Sequence, residues 1–368
     1  MRVAVNASFF QPGHNYGAGT YVVELLRAWA RVGAHEPVLI HNRLSRDFFV
    51  ERLGGLERFE APVSGANRAA RIAYEQLLLQ RHAAALGCAV LFCPGYLGPI
   101  RRAMPVVLTI HDCQFRDVAA MIDPRARLAY ELLLPRAAAV ADHVIAVSEF
   151  TRSRIVHHLG TPDDRVTTVL EGAPSLGPAL PPAQGRALLA RFGITEPFLM
   201  TVSGGGPHKN LERVKEGFRR FRARRGAAFQ LVVVGHTDDG CGQDVIHTGF
   251  VAEQERDTLY RAAHAYVFGS LYEGFGLTLL EAMQAGLPVA SSHAASLPEV
   301  GGDACVWFDP RDVGAISRAI EAVLTDEEVR ARCRRRNLEQ CARFSWDRCA
   351  RETEAVLERA VAASSPRR

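Results

Sequence analysis

Lysine is almost missing from this chain of 368 residues. Of its 44 basic side chains only Lys209 and Lys215 are lysines, and with the heavy use of alanine this points to a high-GC bacterial gene. Long apolar runs are missing too. No stretch reaches about 18 uncharged apolar residues, the length that a membrane-spanning helix needs, and the best candidate, around 137–147, is broken by Asp142 and His143. The N-terminal MRVAVNASFF alternates like a strand and has neither an apolar h-region nor a small-residue cleavage site, so it reads as a mature cytoplasmic start. The eight cysteines contain no C-x-x-C pair and have no paired histidines. This argues against a disulfide framework or a zinc site and fits free thiols in a reducing compartment. Net charge is only +4, and all of it lies in residues 1–170, where 19 basic face 15 acidic side chains. That surplus is too small for a nucleic-acid binder. It leaves an anionic acceptor, a lipid surface or a merely solvated arginine-rich face.

What the chain does have is alternation. With 48% hydrophobic and 23% charged residues it is ordinary globular protein, and its length suits two or three domains. Short apolar runs at 3–7, 38–41, 90–93, 106–110, 144–147 and 166–170 are separated by amphipathic stretches such as 19–30, 69–86 and 124–140. A second series follows at 198–202, 231–234, 245–248, 265–268, 289–291 and 305–308. Continuous buried strands that alternate with helices imply parallel sheets covered on both faces. Between the two series the Pro- and Gly-rich segment EGAPSLGPALPPAQG cannot sustain a helix or a central strand and reads as a linker. The expected organisation is an N-terminal domain at 1–171, a linker at 172–185 and a second domain at 186–345. A last helix at 346–368 is expected to cross back to the first domain.

The chemistry concentrates in FGSLYEGFGLTLLE, residues 268–281. A strand ends at Phe268, a loop holds Glu273, and Gly274, Phe275 and Gly276 precede a helix that starts near Leu277. Two glycines permit a tight turn and a close approach of backbone to ligand. A helix start offers unpaired N–H groups and partial positive charge, a seat for phosphate. Carboxylates at 273 and 281 suit the hydroxyls of a sugar or ribose, although each alone is better explained otherwise, Glu273 as a helix-entry charge and Glu281 as part of a solvated face. GGGPHKN lacks the glycine before and the Ser or Thr after its lysine that a P-loop needs, and Gly17-Ala18-Gly19 fails the dinucleotide spacing. Asp163-Asp164 and Asp238-Asp239 read as turns and not as metal ligands.

Glu273, seven residues and Glu281, written EGFGLTLLEAMQAGLPVASS and continuing SLPEVGGDA, resemble the signature of family 4 of the retaining glycosyltransferases. GAGTY, LTIHD, VSEFTRSRI, HKNL, VWFDPRD and the closing FSWDRCARETEAVL extend the likeness over most of the chain. The resemblance implies the GT-B fold, α/β, with two Rossmann-like doubly wound parallel-sheet domains facing an interdomain cleft. It implies that Glu273 contacts donor-sugar hydroxyls, that amides around Gly274, Phe275, Gly276 and Leu277 hold sugar or phosphate oxygens, and that Glu281 binds the ribose. Lys209 would neutralise the diphosphate, Gly17 would let backbone touch it with Gly19 opening the following helix, and His111 would meet the donor sugar. Phe250 and Val251 would follow the strand end that meets the base. The arginine that many members carry six residues before the lysine is Ser203 here, and His208 stands where another arginine is frequent. Which group supplies the missing charge is open.

The implied reaction is metal-independent, cofactor-free transfer of a hexose from a nucleoside-diphosphate sugar, with retention. GDP-mannose is the preferred donor and a UDP-sugar the other. The acceptor would be a saccharide or lipid-linked saccharide in polysaccharide assembly. Arg68, Arg71, Arg81, Arg101 and Arg102 suggest a peripheral contact of the first domain at the inner face of the plasma membrane. The rival readings are a sugar-nucleotide epimerase, a phosphorylase and a catalytically weak sugar-nucleotide-binding protein.

Overall fold

Among the described residues thirteen short strands, most of them buried, form two sheets. The computed structural model describes residues 1–13, 16–226, 229–237 and 244–364; Cys241, Asp238, Asp239 and the last four residues lie outside that range. The strands are β1 (Arg2–Ala7), β2 (Glu36–His41), β3 (Glu57–Glu60), β4 (Val90–Cys93), β5 (Val106–Ile110), β6 (His143–Ala146) and β7 (Val166–Thr168). There follow β8 (Phe198–Val202), β9 (Gln230–Val234), β10 (Val245–Gly249), β11 (Ala265–Phe268), β12 (Val289–Ser292) and β13 (Cys305–Phe308). The first sheet has the order β3-β2-β1-β4-β5-β6-β7 and the second β10-β9-β8-β11-β12-β13. Each recorded pairing is parallel, for example Val3 with Pro37 and Val90, and Met200 with Val232 and Tyr266. β3 is the one strand absent from the sequence reading. Its ERFE is charged and partly exposed, as an edge strand can be, and it lacks the apolar run by which the inner strands are recognised.

The chain divides into two units: Met1–Gly172 together with the segment from Phe344 onward, and Ala173–Arg343. In the first unit the helix Trp346–Ser364 is held to the helix Tyr16–Val32 and its exit. Arg31 donates to Asp347 at 2.7 Å, and the amides of Ala34 and His35 donate to Glu354 at 2.9 and 2.8 Å. Gly172 lies against Trp346, and a Cβ there would come within 2.4 Å of the ring. The stretch 69–86 is not one helix but two, Arg68–Leu77 and Leu79–Ala85, broken at Leu78.

In the second unit side chains bond part of the backbone of the Pro- and Gly-rich segment. The amides of Gly177 and Leu180 donate to Asp257 and Thr258 at 2.8 and 2.9 Å, and Arg261 donates to the Gly177 carbonyl at 2.6 Å. A helix, Pro182–Phe192, begins inside the stretch expected to hold none. Proline at a first helical position costs nothing, because the N–H it lacks would have no partner there. The described cysteines are buried, and none of them is in a disulfide. Among the described residues no helix is long and apolar enough to cross a membrane.

Candidate active site

Parallel strands end on one edge. In the second sheet the strand order reverses between β8 and β11, so the chain leaves these two strands toward opposite faces and opens a crevice at their carboxyl ends. Lys209 lies on the connection after β8 and Glu273 on the one after β11. Their side chains meet, Lys209 Nζ donating to Glu273 Oε1 at 2.7 Å, with the ammonium 5.8 Å from the centre of the Phe268 ring. The neighbouring Asn210 adopts a left-handed φ of 58°, a conformation that asparagine tolerates better than most residues. Its side-chain amide donates to the carbonyls of Gly269 at 3.0 Å and Pro310 at 2.8 Å. One side chain thus ties together the connections after β8, β11 and β13.

The turn 273–276 is held from outside. The Ser296 hydroxyl lies 2.9 Å from the carbonyls of both Glu273 and Phe275 and can donate to either. Gly276 has φ 115°, and a Cβ there would sit 2.8 Å from Leu297 Cδ2, so only glycine fits without displacement. Phe275 is buried, while Gly274 and Leu277 are partly exposed. The helix Leu277–Gln284 follows and carries Glu281. Glu281 is 5% exposed and does not lie on a solvated face. It accepts from the Tyr260 hydroxyl at 2.9 Å and lies 3.6 Å from the Arg256 guanidinium. Burial pushes its carboxyl pKa up against the opposing pull of Arg256 and Tyr260. The two glutamates therefore have separate partners in this structure.

Ser203 is buried, its amide donating to the Val234 carbonyl at 2.8 Å and its hydroxyl accepting from the Gly205 amide at 3.3 Å. It shapes the loop and brings no charge. The ring of His208 rests against Gly206, and its carbonyl accepts from Leu271 at 2.7 Å. Burial, followed by the charge of Lys209, pulls its pKa below the usual histidine range. Beyond Gly249, whose φ is 63°, Phe250 is 67% exposed and Val251 partly buried.

In the first unit Gly17 sits exposed in the first turn of its helix with open space around its missing Cβ. Gly19 does not open that helix, which begins at Tyr16. It lies under Phe10, whose ring would be 2.3 Å from a Cβ. His111 directly follows β5 and is 9% exposed. Its Nε2 donates to the Pro94 carbonyl at 2.7 Å and its Nδ1 lies 3.3 Å from Glu171 Oε1. Asp112 accepts from the Tyr96 hydroxyl at 2.6 Å and from the Gln114 amide at 2.9 Å. Among the described residues no group of three His, Cys, Asp or Glu is placed to hold a metal ion.

Known proteins give this geometry a family. Residues 190–340 match the family described as glycosyl transferases group 1, and residues 16–173 match glycosyltransferase family 4. The chain is 31% identical over 263 residues to O-antigen chain mannosyltransferase B of Escherichia coli, covering 67% of this chain and 68% of that one. The chain belongs to the GT-B glycosyltransferases. It is also 28% identical over 222 residues to the serotype-specific mannosyltransferase WbdA of Escherichia coli, covering 56% of this chain but only 27% of that protein's length. In fold it is similar to Anabaena HepE, solved in complex with UDP and glucose, with a TM-score of 0.73 and 16% identity over 98% of this chain and all of that one.

Several residues that shape the site of this glycosyltransferase escaped the sequence reading. Ser296 lies inside the quoted SLPEV, but nothing in one sequence shows that its hydroxyl reaches back 21 and 23 residues. Tyr260 and Arg256 sit on the helix Glu253–Ala262, whose spacing shows only an amphipathic face. Glu171 stands at the edge of a Pro- and Gly-rich stretch, where no local pattern marks it, yet it is 3% exposed. Asn210 did carry a signal, since asparagine directly before a helix invites a left-handed turn or a cap.

Proposed function

We propose that this glycosyltransferase moves a hexose, mannose, from GDP-mannose to a saccharide or lipid-linked saccharide in polysaccharide assembly, with retention at the anomeric carbon and without a metal. The observation that carries the reading is the meeting of Lys209 with Glu273 at the strand-order reversal of the second sheet, with Glu281 eight residues further along. The names of the curated relatives support mannose. In the proposed step the bond from the anomeric carbon to the diphosphate oxygen breaks, its electron pair leaving on the diphosphate, while the acceptor oxygen bonds to the same carbon. The acceptor proton passes to a phosphate oxygen. Negative charge grows on the leaving group, so catalysis is electrostatic, and Lys209 with the amides of 274–277 are the groups assigned to it. Glu273 is assigned to sugar hydroxyls and Glu281 to the ribose, with Ser203, His208, Phe250 and Val251 around the nucleotide. Gly17 and His111 keep the roles that the resemblance gives them.

A thermal-shift screen against GDP, UDP, ADP and dTDP and their sugars tests the donor, because a ligand that binds the folded state raises its melting point. Stabilisation by UDP alone would replace GDP-mannose with a UDP-sugar. With the donor in hand, Lys209→Ala and Glu273→Ala are each expected to lower turnover by about 10²-fold or more. Turnover of both variants close to that of the parent chain would remove these two residues from the mechanism. Product formed without any acceptor, or only with inorganic phosphate, would instead make the chain an epimerase or a phosphorylase.

A further inference from the structure

The two ring nitrogens of His111 face two acceptors. Nε2 lies 2.7 Å from the Pro94 carbonyl oxygen, which can only accept, so Nε2 carries a hydrogen. A neutral imidazole has one N–H. With that one directed at Pro94, Nδ1 would turn its lone pair toward Glu171 Oε1, 3.3 Å away, acceptor against acceptor, unless a further proton lies between them. Glu171 leads to the same requirement from its own side. It is 3% exposed, and its Oε2 is buried with no hydrogen-bond partner among the described residues. A carboxylate anion so placed is costly unless a cation faces it.

One proton can sit there in two ways, as imidazolium with carboxylate or as neutral imidazole with carboxylic acid. The surrounding groups decide between them. Asp112, the next residue, adds negative charge, while the Tyr21 ring packs edge-on at 4.9 Å and the Tyr96 ring lies tilted at 5.1 Å. Burial pushes the Tyr21 hydroxyl far up, so it stays neutral, and the Tyr96 hydroxyl is engaged in donating to Asp112. Cys349, on the C-terminal helix, faces Glu171, and burial pushes its thiol up as well, so it also stays neutral. Burial alone pulls the pKa of His111 down, but the hydrogen bond to and charge of Glu171, with Pro94 and Asp112, more than offset it, and the net direction is upward.

We propose that Glu171 is a positioning residue that holds His111 doubly protonated and fixed in orientation, so that His111 serves sugar transfer as a fixed cation and not as a proton shuttle. A general acid or base needs a nitrogen within hydrogen-bond reach of the proton it moves, and both nitrogens of His111 already point at groups of their own unit. The role in transfer rests on the proposed function; the protonation state does not.

The test uses the full-length protein with ¹⁵N-labelled histidine, the His111 signals being assigned by their loss in His111→Asn. Both ring nitrogens of His111 are expected to be protonated at pH 7, with a titration above the ordinary histidine value of about 6.5. In Glu171→Gln the titration should fall by about one unit or more, and Nδ1 should lose its proton at pH 7. A bare Nδ1 in the parent protein at pH 7, or a titration unmoved by Glu171→Gln, would overturn the proposal. If Glu171→Gln does not fold, the spectrum of the parent protein decides alone. In turnover, Glu171→Gln should lower kcat by roughly tenfold or more, leave the donor KM within about twofold, and be partly rescued in Glu171→Asp. An unchanged kcat alongside the expected spectra would overturn the catalytic role. Absence of sugar transfer by the parent protein itself would count against the proposed function, and the spectra would still decide the protonation.

Discussion

Gly276→Ala isolates the turn on which the candidate site is built. Two costs can be read from the structure. The backbone has φ 115°, which an L-residue adopts at about 1–3 kcal/mol. The added methyl would also sit 2.8 Å from Leu297 Cδ2, and Leu297 is fully buried. Its side chain can yield only by disturbing its neighbours, at roughly 1–3 kcal/mol. Together these come to about 2–6 kcal/mol. At roughly 2–4 °C per kcal/mol for a domain of this size, the melting point of the second unit should fall by about 4–24 °C. Gly286→Ala provides the control. Its φ is 74°, and nothing lies within 4 Å of the added methyl, so it bears the backbone cost alone. Scanning calorimetry of both variants separates the two terms. Gly276→Ala melting within about 2 °C of Gly286→Ala would refute the packing argument. Melting with the parent protein would refute the strained turn as well.

Glu281→Gln tests the buried carboxylate through pH. The carboxyl pKa of Glu281 is raised in the folded chain. Between the ordinary glutamate value of about 4.3 and that raised value, the native state therefore holds more protons than the unfolded one. Stability then falls as pH rises through this window. The glutamine variant, which keeps a group for Tyr260 to bond, should lack that decline in urea unfolding followed across pH, and parallel curves for the two proteins would refute the argument. A peripheral membrane contact is proposed for the first unit, which exposes Leu77, Leu128 and Leu132. Binding to anionic vesicles at low salt should weaken in Leu128→Ser/Leu132→Ser, and no binding by the parent protein would end the proposal.

Much of the fold was legible because it is written in buried strands. Runs such as 90–93, 106–110, 198–202, 265–268 and 305–308 coincide with strands, since a parallel strand covered on both faces has to be apolar throughout. β3 was hidden because an edge strand needs no such run. The break at Leu78 was hidden for a different reason: the apolar spacing of 69–86 continues across it, and only packing determines that the two helices part there. The turn at 273–276 was legible through its glycines. The group that holds it, Ser296, was not, because a hydroxyl that satisfies distant carbonyls leaves no local pattern. Two arginines of the basic face are paired within the first unit. Arg71 is tied to the buried Glu75 at 3.0 Å and Arg102 is paired with Asp142, so neither is a freely solvated charge.

The Lys209–Glu273 contact bears on where the site obtains its positive potential. Each side chain is partly buried, 24% and 15% exposed, and at 2.7 Å they neutralise each other in this structure. Ser203 adds no charge, and His208, its pKa lowered by burial and by Lys209, adds little at neutral pH. Long-range attraction for a diphosphate cannot then come mainly from this pair, whose combined charge is zero. On the proposed reading it comes from fixed dipoles, the amides of the turn and the first turn of the helix Leu277–Gln284, which no side chain can cancel. The ammonium acts at short range, once a phosphate oxygen can share Lys209 with Glu273 and the Glu273 carboxylate turns to a sugar hydroxyl. On this argument Lys209→Ala harms turnover more than nucleotide affinity, whereas Gly276→Ala, which moves the amides themselves, harms affinity first.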